Sequence, residues 1–481
     1  MNTGARWPTL PEAEAKVLAT QQKLHQWAKA DSDRQFVDLF NLVHDPALLV
    51  IAWNRVLRNK GARTAGPDGR SPRSIEDPAA FLAELREDLK ARRFKPTPVR
   101  QKTIPKANGK LRKLGIPDVD DRVVQAALKL VMEPIFEADF KPCSYGFRPM
   151  RRAQDAIAEI HYFGTPTRKY EWVFEADIEA CFDNIDHGAL MSRIRRRIGD
   201  KRVLVLIKAF LRAGILTEKG LNRKTITGTP QGGVLSPLLA NIALSVLDEH
   251  FTRKWEELGP SWTRAKHRRN GGAVCRIVRY ADDFVVMVNG KRDDAEALRE
   301  EVTAVLAPIG LRLSDEKTKV CHIDEGFDFL GFHIQRRAWR SREGKQAVYT
   351  YPSKKALLTL LAKLRSLTRR SKHRSLGDLL KAVNKVLQGW CNYFKYGVSG
   401  RTFSYVSYYI WWRIVNWLRK RHDGLRWDTL RKRCYPAGKF RDGNVELFDP
   451  ATVSVTRYRY RGARIPTPWT INDTETAAAT A

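Results

Sequence analysis

An α+β fold flanked by two helical modules is what the sequence predicts, and three observations carry it. From roughly Arg100 to Ile334, short β-branched runs alternate with helical segments, a pattern that suits neither a repeat array nor a bundle. The first sixty residues carry apolar positions at helical spacing. From Ser353 to Cys434 the spacing is helical again but the composition changes: 20 Lys+Arg stand against 3 Asp+Glu, a net of +17, with twelve aromatics in 82 residues.

Taking the elements in order, Val17, Gln21, Leu24 and Trp27 mark one helical face, and Asp45-Pro46 reads as the cap and first position of another helix. Gly61 to Gly69 breaks the periodicity with turn chemistry and basic residues, as a flexible loop or linker would. Ile104 to Pro117 reads as two strands joined at a turn. Trp172 to Asp177 reads as a strand ending on an acid, and Asp183 and Asp186 fall in the helical segment after it, suited to capping or to pairing with Arg193. Gly228 to Pro237 is a glycine-rich loop entering a helix, with Ser236 as cap and Pro237 at the first helical position; its glycines allow close approach to the backbone. Arg264 to Gly272 reads as a basic, mobile, solvated loop. Leu376, Leu379, Leu380, Val383, Leu387, Trp390 and Phe394 follow one helix, and Phe403 to His422 another. Most Trp and Tyr of this last module are expected in its core, a minority on its surface to stack on bases. Asn472 to Ala481 is polar or small and is expected to be disordered.

Composition narrows the function. With 481 residues and 43% apolar content the chain is globular, long enough for two or three domains. Its net charge of +33, from 86 Lys+Arg against 53 Asp+Glu, is beyond what solubility needs and creates an attractive field for a polyanion. Nucleic acid is the first partner to consider, a basic or membrane-binding surface the alternative. The longest apolar run, Ala47 to Trp53, is too short to span a bilayer and the N-terminus lacks a signal-peptide core, so a cytoplasmic protein with no membrane partner is expected. Six cysteines at 143, 181, 275, 321, 391 and 434 form no Cys-x-x-Cys pair, and Cys321-His322 has no partner pair for zinc.

The chemistry concentrates at Tyr280-Ala281-Asp282-Asp283, set between Arg276–Arg279 and Phe284–Val288 as the tip of a hairpin. Asp-Asp is good turn chemistry on its own, but adjacent carboxylates repel unless a doubly positive ion lies between them. Asp177 supplies a third carboxylate at a strand end. Nucleotidyl transfer uses two Mg²⁺ ions about 4 Å apart, one activating the 3′-hydroxyl and one neutralising the triphosphate, and three carboxylates suffice to hold them.

With these blocks in hand, the chain resembles a group II intron-encoded reverse transcriptase, in order from about Asn59 to Cys434. Asp177 to Asp183 resembles the first catalytic-aspartate block and Tyr280 to Asp283 the second. The resemblance implies a right-hand polymerase, with catalysis by Asp177, Asp282, Asp283 and Lys317 and metal ligation by Asp177, Ile178, Asp282 and Asp283. Lys317, within Gly310 to Lys319, would be general acid to the leaving pyrophosphate, unless it pairs with Asp315. Nucleotide-binding roles fall on Lys106 and Arg112 of the fingers hairpin, on Phe182, whose ring would exclude a 2′-hydroxyl, and on Gln231 and Gly232. Phe329, Leu330 and Gly331 match the primer grip, Asn59, Lys60, Gly61 and Arg63 the template-contacting block, and Cys143 to Pro149 a further block before the first aspartate. The basic module resembles the thumb and maturase domain, which grips the primer-template duplex and intron RNA.

The expected organisation is therefore 1–70 as helical extension with a template loop, 71–350 as fingers and palm, 351–434 as thumb/maturase, and 435–481 as a short appendage and tail. The zinc-dependent endonuclease that many family members carry has no counterpart after Cys434, and Tyr435 to Ile471 would either contact nucleic acid or buttress the thumb. The implied function is an RNA-directed DNA polymerase that assists splicing of its own group II intron RNA and reverse transcribes it during target-primed integration, with primed RNA template, target DNA, dNTP and two Mg²⁺ ions as partners. A related polymerase of host defence or DNA repair, and a non-catalytic RNA chaperone, are the alternatives.

Overall fold

A computed structural model describes residues 7–105, 111–216, 222–223, 227–228, 232–339, 344–369, 375–422 and 425–470. Helices α1 (Leu10–Ala30), α2 (Phe40–Val43), α3 (Pro46–Arg58) and α4 (Pro78–Lys90) open the chain. Asp45 caps α3 through Ala47 N at 2.8 Å. The buried stripe of α1 runs through Val17, Gln21 and Leu24 to His25 and Ala28; Trp27 instead faces outward under the Arg34 guanidinium, because burial continues along the i+4 row. The expected flexible loop after α3 is a 3₁₀ turn, Lys60–Arg63, fastened by Arg122, whose Nη1 and Nη2 donate to Gly61 O at 3.3 Å and Thr64 O at 2.9 Å.

The fingers hairpin is β1 (Val99–Pro105) against β2 (Leu111–Ile116), antiparallel in the register Ile104 to Arg112. After it comes α5 (Val119–Glu137), the most buried helix, with Pro134 inside it. Proline has no N–H, so Leu130 O loses its helical donor; Gln21 Nε2 supplies one at 2.7 Å, and His25 Nδ1 bonds Pro134 O at 2.9 Å. The N-terminal helices thus share one hydrophobic core with α5 and the central sheet.

Next along the chain are α6 (Ala153–Phe163), β3 (Trp172–Asp177), α7 (Cys181–Asn184), α8 (His187–Arg195), α9 (Lys201–Arg212), the short β4 (Ile215–Leu216) and β5 (Asn222–Arg223), and α10 (Ser236–Glu257). Ser236 is the first residue of α10 and Leu235 flanks it, so the helix starts one residue before the sequence reading placed it. The expected basic loop is instead helix α11 (Ser261–Arg269): its Arg, Lys and Ala are good helix formers, and Arg264 lies over the Trp255 ring and bonds Gly259 O.

The central sheet then closes with β6 (Val274–Tyr280), β7 (Asp283–Asn289) and, after α12 (Arg292–Glu296) and α13 (Leu298–Leu306), β8 (Lys319–His322), in the antiparallel order β6-β7-β3-β8. Its two faces enter different cores: Phe174, Ala176, Ile277, Phe284 and Val286 face the α5 side, while Val173, Val278, Val285 and Met287 face α6 and the helical module. A sheet buried on both faces is why these strands place apolar residues at successive positions, as in Val173-Phe174, Ile277-Val278 and Phe284 to Val288, instead of strictly alternating.

A second sheet, β9 (Phe327–Phe329), β10 (Phe332–Ala338) and β11 (Gln346–Pro352), leads to α14 (Lys354–Arg369), α15 (Leu376–Phe394), α16 (Gly400–Arg421) and α17 (Trp427–Cys434). These helices have their own core around Leu364, Leu379, Val383, Leu387, Ile410 and Ile414. Most Trp and Tyr of this module join its packing: Trp417 is buried, Trp390, Tyr393, Tyr409, Trp411 and Trp427 are half-buried against the hydrophobic cores, and Tyr405, Tyr408 and Trp412 are the exposed minority.

After α17 and the short pair β12 (Arg441–Asp442) and β13 (Val445–Glu446), the chain returns over the molecule. Thr456 N donates to Lys395 O, Tyr460 stacks on Tyr162 with centroids 4.6 Å apart, Arg461 grips Asp155 with two bonds of 2.9 Å, and Trp469 Nε1 reaches Gln21 Oε1 at 3.2 Å. The segment therefore touches the helical module, α6 and α1. Among the described residues no helix is long and apolar enough to cross a membrane.

Candidate active site

Strand register assembles the acidic site. Asp283 pairs with Asp177 across β3 and β7 and with Tyr280 across β6 and β7, so the ends of three strands converge. Ala281 and Asp282 form the turn between β6 and β7, with Ala281 in the left-handed region at φ 59°. Asp177 is held from the other side by its carbonyl, which accepts from Ser314 N at 2.8 Å. Ile178, the residue with the remaining implied metal-binding role, is buried and bridges Leu313.

The electrostatics are those of carboxylates short of positive charge. Burial raises the Asp282 carboxyl, and the Asp177 charge adds to that rise. Asp283 has an edge open to solvent, but surrounding protein first, and then the charges of Asp282 and Asp177, push it up to about 6. Three cations oppose this: Arg112 from the hairpin β1–β2 and the buried Arg279 lower Asp282, and Lys317 lowers Asp283. Lys317 Nζ forms an ion pair with Asp177 Oδ2, a hydrogen bond that raises the lysine's own pKa; the alternative partner, Asp315, goes to Arg299 at 3.0 Å.

Three aspartates present hard oxygen donors suited to Mg²⁺ or Mn²⁺, and their mutual repulsion is what a divalent ion relieves, so the donor set fits the metal that the chemistry implies. Among the described residues no three His, Cys, Asp or Glu side chains are gathered so as to hold a metal ion by themselves. Main-chain oxygens, substrate phosphates or water must supply the rest.

Other expected residues are spread around this centre. Phe182 lies in α7, 8% exposed within the main core, with Ala180 before it in the left-handed region at φ 44°. Asp186 caps α8 through Ala189 N at 2.7 Å, while Arg193 pairs with Glu249 rather than with either aspartate. A Cβ on Gly232 would meet Gly115 O at 2.7 Å and one on Gly228 the Asp183 backbone, so on that side each glycine admits a close approach of the protein's own chain. Lys106 and Gln231 lie outside the described residues. Asn59 flanks α3, and Lys60, Gly61 and Arg63 form the 3₁₀ turn docked at the base of the fingers hairpin, where Arg100 Nη2 donates to Ala65 O.

Phe329 ends β9, buried; Leu330 and Gly331, at φ 49° and 78°, make the tight turn into β10. Tyr393 of α15 donates to Leu330 O at 2.8 Å.

Sequence reasoning missed what lies under the acidic turn. Arg279 and Asp248 are wholly buried beneath it as an ion pair. A charged side chain inside the apolar strand Val274–Tyr280, at an inward position, was the available signal.

Against known proteins, residues 104–334 match the family described as reverse transcriptase (RNA-dependent DNA polymerase), and residues 357–435 match the group II intron, maturase-specific domain. Protein YkfC of Escherichia coli (strain K12) is 39% identical over 356 residues, covering 70% of this chain and 92% of that protein. Group II intron-encoded protein LtrA of Lactococcus lactis subsp. cremoris is 30% identical, covering 89% of this chain and 80% of LtrA. The putative COX1/OXI3 intron 2 protein of Saccharomyces cerevisiae is 28% identical over 63% of this chain and 40% of its own length.

Proposed function

This chain belongs to the group II intron-encoded reverse transcriptases, and from that premise we propose that Asp177, Asp282 and Asp283 form its nucleotidyl-transfer site. It is an RNA-directed DNA polymerase and intron maturase, its partner is RNA, and its family is divalent-metal dependent. The finer reading concerns which residues act, with which ions, and on which DNA.

The observation that supports it is the register that puts three carboxylates at one sheet end opposite Arg112. Asp177, Asp282 and Asp283 would hold two Mg²⁺ ions, with the Ile178 carbonyl as a further oxygen. Those ions, when bound, lower the pKa of the primer 3′-hydroxyl and neutralise the triphosphate. The 3′-oxygen then attacks the α-phosphorus of a dNTP and the bond to pyrophosphate breaks. Arg112 orients the triphosphate through its planar fork, and Lys106 is assigned to the same hairpin. Lys317, kept protonated beside Asp177, donates its proton to the leaving pyrophosphate as general acid. Phe182 holds the floor under the sugar, and Gln231 and Gly232 line the approach of the nucleotide. Phe329, Leu330 and Gly331 hold the primer end, and Asn59, Lys60, Gly61 and Arg63 the template. The basic helices α14 to α17 grip the duplex and the intron RNA, with Tyr405, Tyr408 and Trp412 available to stack. Target-primed copying of the intron into DNA completes the reading.

Asp283→Asn tests it. The Mg²⁺ concentration for half-maximal extension of a primed RNA should rise by about tenfold or more, with a lower limiting rate. An unchanged requirement would remove Asp283 from the metal site.

A further inference from the structure

We propose that Arg279 is a positioning residue: a clamp, built into the palm and closed around its own guanidinium, that fixes the catalytic turn through the Ala281 carbonyl. The proposal rests on Asp282 and Asp283 being the metal-holding pair.

All five guanidinium donors of Arg279 are used. Nε and Nη2 go to Asp248 Oδ1 at 2.8 Å and Oδ2 at 2.5 Å, Nη2 also to Ser144 Oγ at 2.8 Å, and Nη1 to Asn241 Oδ1 at 3.0 Å and Ala281 O at 2.8 Å. The side chain is the largest fully buried one in the described protein, and Asp248 beneath it is equally closed to solvent. A buried ion pair is a weak source of stability, because desolvation offsets most of the attraction. A fully satisfied one is a strong source of geometry, since each donor direction of the rigid fork is fixed.

What that geometry fixes is the turn. Ala281 sits at φ 59°, a conformation an alanine adopts only when its surroundings hold it there. The Cys143–Pro149 block closes on it from the other side: Arg279 N donates to Cys143 O and Tyr145 N to Arg279 O, both at 2.9 Å, and Asn241 Nδ2 donates to Gly146 O at 2.8 Å. Gly146 lies so near that a Cβ there would stand 2.4 Å from Ala281 N. The turn is thus wedged between a glycine backbone and a guanidinium, and Asp282 and Asp283 point where that wedge sends them. Asp248 pairs the guanidinium, whose charge still lowers the Asp282 carboxyl, and a lysine at 279 would keep that charge while losing the position.

The full-length chain and its Arg279→Lys, Ala281→Gly and double variants test this. A lysine keeps the charge but cannot engage Asp248, Asn241 and Ala281 O together. In Arg279→Lys, single-turnover extension of a primed RNA should fall on the order of 100-fold, a misplacement effect. Duplex affinity should stay unchanged, the half-activating Mg²⁺ should rise, and amide exchange at residues 281–283 of the metal-free protein should quicken. Ala281→Gly, which takes the left-handed conformation unaided, should restore about tenfold of that rate in the double variant. Where Arg279→Lys fails to fold, Asn241→Ser, which spares the ion pair, is read in the same cycle. A folded Arg279→Lys with wild-type rate and Mg²⁺ requirement, or additive losses with no rescue by glycine, overturns the clamp. Activity of Asp282→Ala would instead overturn the site reading on which it rests.

Discussion

Two tight turns carry a non-glycine residue into the left-handed region beside the same core, and they are held from opposite sides. Ala281, between β6 and β7, has its carbonyl bonded by Arg279 at 2.8 Å from within the central sheet. Leu330, between β9 and β10, has its carbonyl bonded by Tyr393 at 2.8 Å from α15 of the helical module. The first anchor is a buried ion network; the second is a neutral hydroxyl among Phe332, Phe394 and Trp390. The contrast teaches a division of labour. The turn that carries the acids is fixed by its own domain, whatever the helical module does, whereas the turn assigned to the primer registers how that module is docked. Changes at the first turn should move rate, and changes at the second should move affinity.

Short of the complete loss expected on removing the Asp282 carboxylate, the largest effect should come from Asp177→Asn, which removes a charge from the acidic strand end: single-turnover extension should drop by roughly 10³-fold, with duplex affinity retained. A parallel loss of affinity would break the division. Next, Lys317→Gln should slow the same step by on the order of 100-fold without changing the affinity for primed RNA, and a pyrophosphate-release assay at saturating dNTP would check it. Tyr393→Phe deletes one hydrogen bond, about 1 kcal/mol, so the KM for primed template should rise about fivefold while kcat holds. A fall in kcat with no change in KM would place the thumb-side turn in the chemical step.

The smallest effect is a pH signature. Burial, and then the charges of Asp282 and Asp177, push the folded-state Asp283 carboxyl from the ordinary 3.8 up to about 6, so its charge opposes folding fully above about pH 6 and that opposition fades as pH falls towards 4. In metal-free buffer the melting temperature should gain from this group between pH 7.5 and pH 5, and Asp283→Asn should lose that gain. In the presence of Mg²⁺ the proton competes with the ion, and extension should decline through the same interval.

The strands that build the site were legible because burial on both faces of the sheet leaves apolar residues at successive positions, Val173-Phe174, Ile277-Val278 and Phe284 to Val288. Asp45-Pro46 was legible because a cap is local chemistry. What failed was non-local. Helix α11 looked like a loop because its charge was read and the stacking of Arg264 on Trp255 was not visible. Nothing in the chain says that Asp183 and Gly115 stand against Gly228 and Gly232, so that packing was not legible either. The path of residues 445–470 over α6 and α1 has no periodicity, being held by single long-range contacts such as Arg461 to Asp155. Arg279 was passed over for the same reason: its partners come from residues 144, 241 and 248.

The most direct measurement is single-turnover addition of one deoxynucleotide to a primed RNA by Asp282→Ala, with duplex affinity determined on the same preparation. The expected result is no detectable addition at any Mg²⁺ concentration and an affinity within about twofold of the unaltered chain. Addition at a near-normal rate, or a loss of affinity that matches the loss of rate, would contradict the separation of chemistry from grip.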